Sequence, residues 1–186
     1  MIRHFYLTAI LLALVWAVGS LVCPNPVQAA TAAEINRDVK IALEKLYAKS
    51  SSAKMLGEKA KGILVFPGII KGGFMVGGQF GEGALLRGGK TASYYNTISA
   101  SYGLQIGLQK YGYALFFMSD SAMGWLDKSD GWELGTGPSI VVVDEGVAKS
   151  MSSTTLQSDV YAFFFNQKGL MGGLGLQGTK ITKIKK

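Results

Sequence analysis

Glycine recurs inside segments that otherwise favour β-strands, and this pattern constrains the fold more than any other feature. The chain has 25 glycines in 186 residues. Many fall in pairs or at alternate positions within 72–83, 103–107 and 172–175. Glycine weakens an isolated strand, so a repeated glycine face indicates sharp bends or the close approach of another layer. The pattern predicts a strongly bent antiparallel sheet or a partly closed barrel.

Alternation of apolar and small or polar residues predicts where the strands lie. The expected strands are 62–66 (stopped by Pro67), 102–109, 111–118, 159–165 and 170–177. A short helix is expected between strands at 120–126.

Two helices are predicted before the first strand. Thr31 and Glu34 have the spacing of a capping box, in which each side chain satisfies an amide at the helix start. Apolar residues then recur at helical spacing through Tyr47, and Met55 and Leu56 lie on a second, shorter helix. The simplest interpretation packs these helices on the sheet, and a helix lying on a membrane surface is the alternative. The fold class is therefore α+β and dominated by β-structure.

The N-terminus has the three parts of a secretory signal. A basic start is followed by an apolar run at 5–22 and a small-x-small site that ends at Ala29. We expect residues 1–29 to be a signal peptide that is cleaved between Ala29 and Ala30, which leaves 30–186 as one domain. An uncleaved anchor helix is the alternative. The protein is expected to be exported to the periplasm or cell envelope, peripheral to the membrane.

Composition limits the chemistry of the predicted mature domain. The only cysteine is Cys23 and the only histidine is His4, and both lie in the predicted signal. The domain then lacks thiol and imidazole groups, so we expect no metal site, no cofactor and no enzyme activity. An enzyme that uses carboxylates is the alternative, and 127–133 gathers three acids beside tryptophan. A solvated turn is the simpler interpretation there, as it is at Asp144 and Glu145.

One segment imitates a nucleotide-binding loop. Residues 84–91 fit a permissive phosphate-loop pattern, and 140–145 reads as an apolar strand that ends in carboxylates. A phosphate loop must lead into a helix whose amides face the phosphates, but the residues after Thr91 favour a strand. We therefore expect no nucleotide binding. Nucleic acid is also an unlikely partner for an exported protein.

Basic residues favour an anionic partner. The formal charge is +7 and falls to +6 once Arg3 is removed. The candidate lipid-binding residues form two groups along the sequence: Lys54, Lys59, Lys61, Lys71, Arg87 and Lys90, then Lys180, Lys183, Lys185 and Lys186. At an anionic membrane each could contribute about 1 kcal/mol. The alternative is that the terminal lysines only protect an exposed edge strand.

Several blocks together resemble the SYLF domain. They are Ala60 to Pro67, the glycine run at 72–83, Tyr102 to Gly107, and Asp159 to Leu170 leading to Ile181. The resemblance spans roughly 35–184 and departs from the family pattern at 94–97. It implies a lipid-binding module, because eukaryotic relatives bind phosphatidylinositol lipids and some bind actin. We carry over anionic-lipid binding alone, since actin is an unlikely partner for an exported chain. The alternative is a structural envelope protein that binds another protein through 161–165.

Overall fold

A computed structural model describes residues 29–74, 76–102, 107–128, 130–143, 157–168, 176 and 178–186. Residues 1–28 of the predicted signal peptide lie outside this set. So do Asp144 and Glu145, residues 103–106, and most of the predicted strand at 170–177.

Three α-helices and eight strands make up the described part of the chain. The helices are α1 (Ala32–Lys49), α2 (Ser51–Lys59) and α3 (Asp120–Met123), and α3 continues as a 3-10 helix at Gly124–Asp127. The strands are β1 (Gly62–Phe74), β2 (Val76–Arg87), β3 (Lys90–Tyr102), β4 (Gly107–Phe117), β5 (Trp132–Glu133), β6 (Ile140–Val142), β7 (Val160–Lys168) and β8 (Lys180–Ile184).

All eight strands belong to one strongly curled, half-barrel sheet. Its order is β5-β8-β3-β2-β1-β4-β7-β6. The predicted β-dominated α+β fold is confirmed. One feature differs from the prediction, because β6 pairs with β7 in the parallel direction while every other pair described is antiparallel. Of the predicted strand at 102–109, Tyr102 ends β3 and 107–109 belong to β4, which continues through Phe117, while 103–106 lie outside the described residues.

Helix α1 begins where the capping box places it. The Glu34 amide donates to the Thr31 Oγ at 3.3 Å, and the Thr31 amide donates to the Glu34 carboxylate at 2.8 Å. These hydrogen bonds lower the pKa of Glu34. The helix buries Ile35, Val39 and other apolar residues against β1, β2 and their neighbours. We call this side of the sheet the α1 face.

The opposite face of the sheet carries the second buried cluster. Alternate residues of β4, such as Tyr113 and Leu115, point into it. Helix α3 contributes Met123, and Trp132 of β5 packs with Phe117 at a ring separation of 5.8 Å. Apolar side chains therefore cover both faces of the central strands. This explains why β4 reads as a nearly continuous apolar run.

Strand β1 continues through Pro67, where the sequence predicts its end. The register against both β2 and β4 shifts at this proline, which identifies a β-bulge that accommodates a residue without an amide hydrogen. The neighbouring strands have glycine beside the bulge. A Cβ on Gly83 would overlap the Val65 carbonyl, and one on Gly112 would lie 2.8 Å from the Phe66 carbonyl oxygen. These two glycines allow the close backbone approach that the pattern predicts.

Candidate functional site

An exposed apolar row crosses the α1 face beyond the area that the helix covers. Ile98 on β3, Phe80 on β2 and Ile70 on β1 are direct cross-strand partners. Their side chains are 50%, 48% and 55% exposed, respectively. Contiguous exposed apolar side chains of this size indicate a surface that binds a partner or a membrane. We call these three residues the apolar row.

Two more exposed apolar side chains adjoin the apolar row. Ile41 of α1 lines a cleft of about 440 Å³ together with Ile70 and Phe80. Leu108 of β4 is 70% exposed, the largest value among the large apolar residues described. The apolar surface therefore extends from the helix across the sheet.

Lysines stand at both ends of the apolar row. Ile98 pairs with Lys180 on β8, and Ile70 pairs with Lys110 on β4. Both lysines are exposed. The register continues from Lys110 to Lys168 on β7. Five adjacent strands thus present an apolar centre with a lysine at either end. This arrangement can bind a partner whose apolar and anionic groups lie close together.

Acidic side chains around the cleft have basic partners. Glu82 forms an ion pair with Lys186 at 2.8 Å, and Asp38 forms one with Arg37 at 2.9 Å. Lys45 and Lys110 also line the cleft. The described surroundings of the apolar row therefore carry a net positive charge.

The structure divides the first group of predicted lipid-binding residues. Lys54, Lys59 and Lys61 lie on α2 and just before β1, while Arg87 and Lys90 flank the turn between β2 and β3. The pairing of Ile63 with Leu86 brings these five cations to one end of the sheet. Lys71 is not among them, because strand alternation places it on the opposite face beside Gln79 and Gln109.

The terminal lysines do not form one surface either. Lys183 forms an ion pair with Asp127 at 3.2 Å. The Lys186 side chain is only 11% exposed, because it is engaged by Glu82. Lys180 and Lys185 are exposed. Among the predicted residues, Lys180 is the one that lies beside the apolar row. Lys110 lies at the other end of the row. It was not predicted as a lipid-binding residue, because no other basic residue lies near it in the sequence.

Buried hydroxyl and amide groups occupy the opposite face. Tyr111 donates a hydrogen bond to the Gln79 Oε1, whose amide nitrogen donates to Thr179 at 3.1 Å. The hydroxyls of Tyr113 and Thr97 are hydrogen-bonded at 2.8 Å. Burial raises the pKa of Tyr111 to about 12 and raises the pKa of Tyr113 as well. Both phenols are neutral at physiological pH, so they are poor general bases.

One of the acids that support the enzyme alternative is engaged by a lysine. Asp127 pairs with Lys183, and no group of three or more described His, Cys, Asp or Glu residues is placed to hold a metal. Trp132 is buried, and its Nε1 donates to the Thr136 carbonyl at 2.8 Å. Lys128 lies 3.2 Å from the centre of the Trp125 ring. The two tryptophans are therefore already engaged within the domain.

The segment that imitates a phosphate loop is a β-hairpin. Gly88 and Gly89 form its turn, with φ of 55° and 77°, and both adopt the left-handed region that glycine favours. Strand β3 begins at Lys90, in the position where a phosphate loop requires a helix. The amides after the turn pair with β2 and β8, so they do not form an anion-binding helix terminus.

The aromatic strand of the protein-binding alternative is largely internal. Tyr161 and Phe163 are both 4% exposed, and Phe163 packs edge-on against Phe116 at 5.3 Å. These two side chains are used for the core below α1.

Among the described residues, no helix has the length and apolar character needed to cross a membrane.

Comparison with known proteins gives one family match, over the C-terminal half of the chain. Residues 98–186 match the family model described as "Ysc84: Las17-binding protein actin regulator", which is the SYLF domain. No curated protein matches the chain. The matched region begins at Ile98 of the apolar row and runs through β4 and β7 to β8. The family is one of lipid-binding and actin-regulating domains, and it is known for binding and not for catalysis. This match over residues 98–186 is consistent with a member of the SYLF domain family.

Proposed function

We propose that this protein is a non-enzymatic module that binds anionic phospholipid membranes peripherally, through the apolar row and the lysines at its ends. The observation that carries the proposal is the register Lys180–Ile98–Phe80–Ile70–Lys110 across five strands. Its apolar centre fits the boundary between headgroups and acyl chains, and its lysines fit the phosphates above that boundary.

The proposal also places the protein outside the cytoplasm. The N-terminal sequence supports export, cleavage between Ala29 and Ala30, and residence at the cell envelope. Lipid is then the preferred partner over actin, although the family description names an actin regulator. An envelope protein that covers the same apolar row is the alternative partner.

Vesicle binding tests the proposal. We expect the protein to sediment with anionic vesicles and not with zwitterionic ones, and binding to weaken between roughly 0.05 and 0.5 M salt because the lysine attraction is screened. Changing Lys110 and Lys180 to Gln should cost about 2 kcal/mol, or roughly 30-fold in partitioning.

A matched pair of lysines at the end of the sheet locates the surface. Lys54 and Lys61, also exposed, can be changed to Gln with the same loss of charge. If the Lys54 and Lys61 variant loses more vesicle binding than the Lys110 and Lys180 variant, the membrane contact lies at the end of the sheet. The first group of predicted lipid-binding residues is found there. Absence of binding to anionic vesicles at low salt would reject lipid as the partner and favour the envelope protein.

A further inference from the structure

Ala30 lies in a cluster of charged and polar groups on β2 and at the C-terminal end of β8. Its amide donates to the Glu82 Oε2 at 3.1 Å. The Lys186 Nζ lies 2.8 Å from the other carboxylate oxygen and donates to the Ala30 carbonyl, also at 2.8 Å. Residues separated by more than 150 positions thus meet on one carboxylate. We call Glu82, Lys186 and the neighbouring Asn96 the Glu82 cluster.

The Glu82 cluster is largely withdrawn from solvent. The side chains of Glu82 and Lys186 are 13% and 11% exposed. Ion pairs at this depth lose hydration, so they require good geometry and further hydrogen bonds. Asn96 is the direct cross-strand partner of Glu82, and its Oδ1 is buried without a hydrogen-bond donor in the described part of the chain. The cluster therefore has a spare acceptor on the cross-strand neighbour of Glu82.

The start of α1 fixes Ala30 at this place. The capping box holds Thr31, and Ala30 packs against the cluster of apolar residues below the helix. An amide nitrogen can donate one hydrogen bond, and the Ala30 amide donates its hydrogen to Glu82. A free α-ammonium at the same atom has three donors and a positive charge, and its bonds to a carboxylate are charge-assisted and stronger.

We propose that the Glu82 cluster is a binding site for the α-ammonium group of Ala30. Hydrolysis of the Ala29–Ala30 peptide bond by a signal peptidase adds water across that bond. It leaves a carboxylate on Ala29 and an amine on Ala30 that takes up a proton, because the pKa of an α-amino group is ordinarily about 7.7–8.0. The ammonium donates to Glu82 and supplies the donor that the Asn96 Oδ1 lacks. Lys186 holds the other carboxylate oxygen.

This site is distinct from the proposed lipid contact, since it concerns how the processed chain is held. It gives cleavage at Ala29–Ala30 a structural consequence, because the new terminus gains an ion pair that the uncleaved amide cannot form. The described helices, strands and buried clusters all lie from Ala30 onward, so chains that begin there keep the described core.

Thermal unfolding of chains that differ only at the terminus tests the proposal. The chains are residues 30–186 with a free amine, the same chain acetylated at Ala30, and a chain extended by Ala29. We expect the free-amine chain to unfold about 2–4 °C above the other two at pH 6, the shift that an interaction of ordinary ion-pair strength gives in a domain of this size. Glu82→Gln should abolish the difference. Glu44→Gln, which removes an exposed carboxylate of α1, should preserve it.

Three results would overturn the proposal. One is equal stability of the free-amine, acetylated and extended wild-type chains. Another is a difference that persists in Glu82→Gln. The third is an intact mass, measured on protein recovered after export, that places the terminus elsewhere than Ala30. If Glu82→Gln does not fold, the comparison among the three wild-type chains still decides, since it changes no side chain.

Discussion

Replacing the apolar row with serine should weaken membrane binding by roughly 100-fold. The change is Ile70→Ser, Phe80→Ser and Ile98→Ser together. Complete burial of a large apolar side chain is worth about 1.5–3 kcal/mol. These side chains are about half exposed, so insertion into lipid would cover the remaining half and contribute about 1 kcal/mol each. The sum of about 3 kcal/mol corresponds to roughly 100-fold in partitioning.

The assay is sedimentation with anionic vesicles over a range of lipid concentrations and at two salt concentrations. The triple variant keeps its lysines, so its residual binding should depend on salt more steeply than wild-type binding does. Val142→Ser is the control, because this side chain is 44% exposed on β6 and pairs with Ala162 of the opposite face. It should bind like wild type.

Stability measurements separate surface effects from unfolding. The three side chains of the apolar row are about half buried in the folded protein, so the triple variant should lose about 1 kcal/mol of unfolding free energy at each position and still unfold cooperatively. A folded triple variant that binds vesicles as tightly as wild type would refute the assignment of this surface. Equal weakening by Val142→Ser would show that the assay reports general surface hydrophobicity and not a specific contact.

Two further predictions concern the opposite face and the hairpin. Tyr111→Phe leaves the buried Gln79 carbonyl without its donor and should cost about 1–3 kcal/mol at pH 7. Because the pKa of Tyr111 is raised, the wild type should lose up to about 3 kcal/mol more stability than the variant as pH rises from 10 through 12, so the gap in urea unfolding should narrow at pH 11. Lys90→Ala should leave the unfolding midpoint unchanged, and calorimetry should detect no saturable Mg²⁺-ATP binding in either protein.

The start of the domain could be predicted because its signals are local. The hydrogen bonds of a capping box join residues three positions apart, so Thr31 and Glu34 place the start of α1 without knowledge of the rest of the chain. The strand after Lys90 was predictable for a similar reason, since β-branched and aromatic residues follow the Gly88–Gly89 turn directly. These two local predictions place the start of the helix that covers the sheet and exclude a phosphate loop at 84–91.

The apolar row could not be predicted, because it depends on registers between strands. The sequence ends the first strand at Pro67, which separates Ile70 from any sheet. In the structure the bulge carries β1 past the proline and aligns Ile70 with Phe80. Phe80 lies in the glycine run at 72–83, and nothing in the neighbouring sequence indicates that its side chain is exposed beside Ile70 and Ile98. Lys110 joins the surface only once β1 and β4 are paired.

The Glu82 cluster and the apolar row share one cleft, so one variant can test whether they act separately. Ala30 and Glu82 line this cleft together with Ile70 and Phe80. The pair of Glu82 and Asn96 lies two residues along β2 and β3 from the pair of Phe80 and Ile98. The Glu82 carboxylate accepts a hydrogen bond from the Ala30 amide. Glu82→Gln should therefore remove the stability difference between free and acetylated termini while vesicle binding of the free-amine chain changes less than threefold. The serine triple variant should show the reverse pattern. If Glu82→Gln abolishes both effects in a folded protein, the terminus and the membrane contact form a single site, and the assignment of lipid contact to the apolar row alone is wrong.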